Sequence, residues 1–503
     1  MVASKNPDPA EWSSRSHPHL CEINTWAWLE QFSAQQGRVM KLADVPDQEW
    51  DTLATLGFDV VWLMGVWRRS PESRRIAQTT PSLFPGFDRA LPSWKPQDVV
   101  GSAYSIAAYV PDPRIGTWTE LDDVRKKLRA RGMGLFLDFV GNHTARDHAW
   151  TREHPEYYVQ GSQQDFDKNP PDFFRVVTPR GPAYLALARD PYFPPWTDVA
   201  QLNYFSPQMR AAQLAELRTI AGHCDGVRCD MAMLQLNDVF DRTWRWLLGN
   251  LPIPQREFWA DARAAVPGLA LLAEVYWGLE QRLLDLGFSF VYDKSLYDAL
   301  RNTNISQVQS HVRAPLQYQK HLARFLENHD EPRFLEAFGD ARLPSAGTLM
   351  GTLPGMRFYH HGELEGGKTF LPVALRMAAP EPRDPTAAAF FEKVLSITKH
   401  DAFHQGDWNL LQVNFEGEPT SGNLVAYEWR LKDSWKLIVV NLAGGASQGR
   451  IPFTGRTLPA KQYAFRDELD GVIYTRDSDD LSNRGLFVRR DGYGAHLFDV
   501  NAV

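Results

Sequence analysis

Eight apolar runs, each ending in polar residues and separated by helix-like stretches, constrain this 503-residue chain more than any other feature. In order they are CEINTW (21–26), FDVVWLMGVW (58–67), GLFLDFVGNH (134–143), CDGVRCDM (224–231), ALLAEVYW (270–277), FSFVYDKS (288–295), RFLENHD (324–330) and MRFYHHGE (356–363). Several are nearly continuous in apolar residues, as strands buried on both faces require. Between them, TELDDVRKKLRARG (119–132) sets Leu121, Val124 and Leu128 at helical spacing and closes on Gly132. PQMRAAQLAELRTIAG (207–222) has the same character. Eight strand–helix alternations predict an α/β chain folded as a (β/α)8 TIM barrel, with the polar strand ends gathered at one mouth.

Two connections are too long for simple loops. Residues 68–100 follow the second run and are rich in Arg, Pro and Ser, while residues 144–205 follow the third and carry Trp150, Tyr157, Tyr158, Phe173, Phe174, Tyr184, Tyr192 and Trp196. A structureless loop of the second length is improbable, so it is expected to form a small subdomain over the mouth. After about residue 400 the pattern changes to short alternating segments with Gly and Asn turns, such as NLVAYEWRL and WKLIVVNLAGG. The expected division is 1–143 with 206–400 as the barrel, 144–205 as the inserted subdomain, and 401–503 as a C-terminal antiparallel β-sandwich.

Composition removes several function classes. Lys and Arg number 54 and Asp and Glu 61, so the net charge is 54 − 61 = −7, which argues against nucleic-acid or membrane-surface partners recruited by bulk charge. No run of about 18 apolar residues occurs, and the opening MVASKNPDPAEWSSRSHPHL has no apolar leader core. Cys21, Cys224 and Cys229 cannot make a disulfide framework, which fits a reducing compartment, and a cytoplasmic location is expected. Oligomeric state is left open. The aromatic share of 12% is high, and such rings either pack cores or bind flat apolar faces of ligands.

Four run ends carry the chemistry: Asp138 to Asn142-His143, Arg228-Cys-Asp230, Glu274-Val-Tyr276-Trp277, and Glu327-Asn-His329-Asp330. A single carboxylate after a strand is as often a helix N-cap, and a single histidine more often a structural hydrogen-bonder. Three carboxylates, two histidines and an arginine at one mouth are costly to bury without use. A carboxylate pair flanking a bond is the equipment of glycoside hydrolysis. Arg228 and Asp230, two apart on a strand, share a face, so the guanidinium would keep Asp230 ionised for attack. Glu274 lies between Ala273 and Val275, an apolar setting that raises a carboxyl pKa as an acid requires. His143 and His329 suit hydrogen bonds to sugar hydroxyls, and Asp330 a two-pronged hold on adjacent hydroxyls.

These segments resemble the signature regions of the α-amylase family, glycoside hydrolase family 13, and Asp198-Val-Ala-Gln201-Leu-Asn203 resembles a fifth. The resemblance runs over nearly the whole chain. It implies a retaining enzyme acting on α-glucosidic bonds of malto-oligosaccharides or related α-glucosides, with Asp230 as nucleophile, Glu274 as general acid/base and Asp330 as transition-state stabiliser. It also implies that Tyr104 in SAYSIAAY is the tyrosine platform, that Asp138, His143, Arg228 and His329 line the same sugar subsite, and that Trp277 is a candidate stacking surface. No cofactor is required for that chemistry.

Three positions depart from the family pattern. Met233 and Leu234 stand where many members have Lys-His, which predicts a less polar acceptor side and brings forward transfer to a sugar, or a small and even anionic α-glucoside, as the alternative reading. Asn142 matches a calcium-ligand position, but Gln201 replaces the usual Asp, and a neutral amide weakens a hard-cation site. The cluster Arg68-Arg69-Ser-Pro-Glu-Ser-Arg74-Arg75 is expected to be a solvated, partly ion-paired lid, with anion binding as the sharper alternative. A non-catalytic carbohydrate-binding relative is a remote reading, because all three carboxylates are kept. A metal-dependent hydrolase using His143 and His329 lacks any ligand spacing to support it.

Overall fold

Eight parallel strands close on themselves in the computed structural model, which describes residues 15–454 and 457–503. They are β1 (His19–Asn24), β2 (Val60–Met64), β3 (Gly134–Phe139), β4 (Gly226–Cys229), β5 (Ala270–Ala273), β6 (Phe290–Tyr292), β7 (Leu322–Arg324) and β8 (Met356–His360). Each pairs with its sequence neighbours, and β1 closes the ring on β8 with Leu20 opposite Phe358. All eight expected strands form, and the fold is the expected TIM barrel. Every strand residue is buried except the half-buried Phe290, which explains the unbroken apolar runs. The strands stop short of the runs that announced them. Thus Glu274 to Trp277 and Glu327 to Asp330 lie beyond the ends of β5 and β7, on the rim. Most of the opening stretch read above as lacking a leader lies outside the described residues.

The connecting helices follow the spacing read from the sequence. The helix Trp118–Arg129 is capped by the Thr117 side chain, which accepts from the Glu120 N–H, and it buries Leu121, Val124 and Leu128 against the barrel. Among the described residues no helix is long and apolar enough to cross a membrane. All three cysteines are buried and unbridged.

Both long connections are structured. After β2, Trp67–Arg69 pairs antiparallel with Ile106–Pro111, and the helices Pro71–Thr79 and Phe84–Ala90 lie between them. After β3, His143–Ala145 pairs antiparallel with Val199–Gln201, clamping the two ends of the excursion. Inside that clamp Phe173–Thr178, Gly181–Ala186 and Gln160–Gly161 form a three-stranded sheet. Tyr158, Phe173, Phe174 and Tyr184 are buried there, whereas Tyr192 and Phe193 are more than half exposed.

The C-terminal part adds β9 (Asp407–Leu411), β10 (Leu424–Leu431), β11 (Ser434–Asn441), β12 (Ser447–Ile451), β13 (Gln462–Asp467), β14 (Ile473–Asp477), β15 (Leu486–Arg490) and β16 (Ala495–Ala502). Six of them form one antiparallel sheet in the order β9-β10-β11-β16-β13-β14, and β12 pairs with β15. Alternation along β10 gives the sheet two apolar faces. Val425, Tyr427 and Trp429 join the barrel's core, whereas Leu424 and Ala426 pack with Ile451, Leu486 and Val488 of the smaller sheet. The result is an unequal sandwich, fixed to the barrel partly by the Trp429 Nε1–H, which donates to the Thr352 carbonyl at 2.7 Å.

Candidate active site

The expected residues converge at the carboxyl ends of the barrel strands, around Arg228. This side chain has no exposure. Its Nη1 lies 2.7 Å from Asp230 Oδ1, its Nη2 2.7 Å from Glu274 Oε2 and 3.9 Å from Asp330 Oδ2. The rings of Trp62, Tyr104 and Tyr292 lie about the guanidinium with centroids 5.5, 5.1 and 5.8 Å from it. A buried guanidinium is tolerable only with such compensation, and here two carboxylates supply it. Arg228 lies in β4 and Asp230 just past its end, two residues on, which favours the first contact.

The carboxylates are electrically distinct. Burial pushes the Asp230 carboxyl up, Arg228 opposes the shift, and Asp330 adds to it. Burial also pushes Glu274 up against Arg228, and here Asp230 and Asp330 add to the rise. Glu274 accepts from the Met231 N–H at 2.7 Å and from the Tyr276 hydroxyl at 2.6 Å. Asp330 is half exposed at the rim. Desolvation works against its charge, but His329, then Arg228, outweigh it and hold the carboxyl down to about 2. The Asn328 side chain accepts from the N–H groups of Asp330 and Glu331, each at 2.9 Å, and so shapes the turn that presents Asp330.

Tyr104 stacks on His329 with centroids 5.1 Å apart, and its hydroxyl lies 2.7 Å from His329 Nε2. His143 is buried, with Nε2 3.1 Å from the Tyr104 carbonyl, and burial lowers its pKa to about 4, so the ring is a neutral donor there. Asp138 is almost fully buried: Oδ2 accepts from the Gly65 N–H at 2.7 Å, Oδ1 has no partner, and burial raises its pKa to about 7. It therefore stands behind Arg228 more than it faces the opening. Gly65 sits at φ +76°, the left-handed region, which turns its N–H onto Asp138.

Two other residues adopt the left-handed region at the mouth, and neither is glycine. Met231 (φ +43°) follows Asp230, and Trp277 (φ +65°) lies three past Glu274. Each such conformation costs on the order of 1 kcal/mol and persists where surrounding contacts enforce it. Trp277 is 38% exposed and meets Tyr192 edge to face, with centroids 4.9 Å apart.

Other expectations are corrected. Met233 and Leu234 belong to the barrel's apolar core. Both are buried, because residues Ala232–Gln235 form one 3-10 turn that folds them inward. The arginine cluster splits. Arg69 is buried over the Trp26 ring and donates to the Gly101 and Val373 carbonyls at 2.6 and 2.8 Å, whereas Arg75 is exposed and paired with Glu72. The residues at the calcium position do not fit a cation. Gln201 Nε2 donates to the Asn142 carbonyl at 3.0 Å, to Asn142 Oδ1 at 3.1 Å and to the Leu202 carbonyl at 3.1 Å, so one amide nitrogen occupies the centre of the oxygens.

Sequence reasoning missed Glu22, which lies 2.5 Å from His329, and the roles of Tyr276 and Tyr292, although all three stood inside quoted strand runs. The signal available for Glu22 was a lone carboxylate between Cys21 and Ile23 in a buried strand.

The alpha-amylase catalytic-domain family matches residues 47–231. The alpha-amylase MalA of Haloarcula japonica is 23% identical over 357 residues, 67% of this chain and 47% of that protein. The trehalose-6-phosphate hydrolase of Escherichia coli is 26% identical over 310 residues, 52% of this chain and 55% of that protein. The chain thus spans about half the length of these curated relatives. A maltogenic alpha-amylase, AmyB, from Thermotoga neapolitana superposes with a TM-score of 0.68 at 17% identity, covering 96% of this chain and 98% of that one, a likeness of fold.

Proposed function

We propose that this chain, whose residues 47–231 match the alpha-amylase catalytic-domain family, is a member of that family and a retaining glycosidase of α-glucosidic bonds in malto-oligosaccharides or related α-glucosides. The observation that carries the reading is the Arg228 guanidinium, 2.7 Å from both Asp230 and Glu274 at a closed barrel's carboxyl end. Asp230 attacks the anomeric carbon, and Glu274 gives its proton to the leaving oxygen as the glycosidic bond breaks. The product is a covalent glycosyl–Asp230 ester and a free sugar hydroxyl. Glu274, now a carboxylate, takes a proton from water, the resulting nucleophile displaces Asp230, and the α-configuration returns. Burial raises both carboxyls against Arg228, which bonds to each, and the acid proton is assigned to Glu274, whose rise Asp230 and Asp330 reinforce. Asp330 stays ionised through both steps and suits the developing positive charge on the sugar.

A second reading, transfer to a sugar hydroxyl, draws on the exposed Trp277–Tyr192 pair past Glu274, which offers a flat apolar face to an incoming acceptor. Incubation with maltoheptaose separates the two readings: shorter products alone mean hydrolysis, and longer ones mean transfer. A 5-fluoro-α-glucosyl fluoride tests the premise of both. Mass analysis is expected to find a glycosyl adduct on the peptide bearing Asp230, and an adduct on another carboxylate, or turnover with inversion, defeats the proposal.

A further inference from the structure

Glu22 is fully buried in β1, opposite His360 across the β1–β8 pair. Its Oε1 lies 2.5 Å from His329 Nδ1. The other ring nitrogen, Nε2, lies 3.0 Å from Asp330 Oδ2 and 2.7 Å from the Tyr104 hydroxyl. Trp62 closes the ring edge to face at 5.6 Å. An ionised carboxylate can only accept a hydrogen bond, so a ring placed between two of them carries protons on both nitrogens.

We propose that Glu22 is a positioning residue: by accepting from Nδ1–H it fixes the His329 ring and commits Nε2–H to the mouth, toward Asp330 and Tyr104. This rests on the reading of Asp330 given above and deepens it. His329 is held well above its ordinary range: burial opposes the charge, but Asp330 and Glu22 outweigh it. The charged groups acting on this ring from the surrounding elements are Glu22 on β1, Asp138 on β3, Asp230 after β4 and Asp330 beside it, and Arg228 lies 3.9 Å from Asp330. Without Glu22, Asp330 is the one carboxylate left within hydrogen-bond reach of the ring, the hold on the second proton weakens, and the ring is free to turn Nε2 into an acceptor. Asp330 then loses its nearest cation.

The ring itself supplies the test, through histidine 15N spectra of the free protein, with His329 assigned by its disappearance in His329→Gln. At about pH 8 the wild-type ring is expected to show both nitrogens protonated, and Glu22→Gln a neutral ring. In the same variant the alkaline limb of the pH–rate profile is expected to move to lower pH. The kcat at about pH 7.5 should fall about tenfold with KM within about twofold, and Glu22→Asp should recover part of both. A neutral wild-type ring at about pH 8 overturns the proposal, whether or not Glu22→Gln folds. So does a Glu22→Gln protein with a doubly protonated ring and an unshifted profile. Because the spectra need no substrate, failure here is distinguishable from failure of the glycosidase reading, which would appear as no turnover by the wild type.

Discussion

Each end of the barrel buries a cluster of His, Asp and Arg, yet the two clusters carry opposite electrical characters. At the mouth, His329 sits between Glu22 and Asp330, within reach of Asp138 and Asp230, and is driven to keep its proton. At the foot, His17, His19 and His404 gather around Asp59 and the buried Arg357 where strands begin. His17 Nδ1 accepts from the Gly355 N–H at 2.9 Å, and His404 Nδ1 donates to the His17 carbonyl at 2.9 Å. The first bond demands a neutral ring, because a protonated Nδ1 cannot accept. Burial, then Arg357, lowers all three histidines, His404 to about 2. Burial raises Asp59 to about 6, against the pull of Arg15. The same residue types become a charged, reactive set where carboxylates outnumber cations, and a neutral plug where they do not.

The largest effect expected from breaking this contrast is Asp230→Asn. Turnover should fall on the order of 10³-fold or more while Tm stays level or rises, since the substitution removes a desolvated carboxylate. Steady-state kinetics and a melting curve check both halves. Full activity in the variant would sink the nucleophile assignment. Arg357→Met is the converse. It removes the Arg357 donor from the Phe403 carbonyl and the longer of two donors from the His17 carbonyl, which keeps His404. A loss of about 3 kcal/mol in denaturant unfolding is expected, with kcat at 25 °C kept within about twofold.

Acidity should separate the two ends next. An unfolded histidine takes up a proton near about 6.5, but the folded rings at the foot do not, so their contribution to stability is lost progressively as pH falls below that value. Asp59 runs the other way, contributing most below the ordinary carboxylate range and losing this as pH rises through about 6. Three rings outweigh one carboxyl, so Tm is expected to drop by several degrees between about pH 7 and about pH 5, and His404→Gln should flatten the slope. His329 contributes in the opposite sense, fully below about 6.5 and vanishing as pH climbs through its raised value. A Tm that climbs as pH falls from about 7 to about 5 would refute the neutral plug. Trp277→Ala should do less, raising KM for oligosaccharides about fivefold and leaving release from a small aryl glucoside unchanged, as initial rates on both substrates would reveal. Metal ions should do least. His19, Asp59 and His404 bring ligand-type atoms within 4.8 Å of one another, but Arg15 lies 3.2 Å from Asp59 and already supplies a positive charge. Zinc, calcium or a chelator at about 1 mM is expected to move Tm by less than about 1 °C.

The barrel was legible because strands buried on both faces leave unbroken apolar runs, and the three candidate carboxylates because each follows such a run. What stayed hidden depends on contacts that sequence spacing does not report. Glu22 finds its partner 307 residues away. Met233 and Leu234 read as acceptor-facing because their spacing from Asp230 matched a family position, yet a short 3-10 turn carries them into the core. Arg68 and Arg69 are chemically alike and adjacent, but one side chain is exposed and the other lies against Trp26, a distinction set by the hairpin's two faces.

Gln201 has a consequence of a different kind. A bound ion stabilises a loop by an amount that varies with the logarithm of its free concentration, so dilution or competition for the metal weakens the structure. The amide nitrogen that gathers the Asn142 and Leu202 oxygens is tethered to the backbone, and its local concentration does not change with the medium. The junction between barrel and inserted sheet is thereby withdrawn from mass action. Its unfolding is expected to be the same in a calcium-poor and a calcium-rich solution.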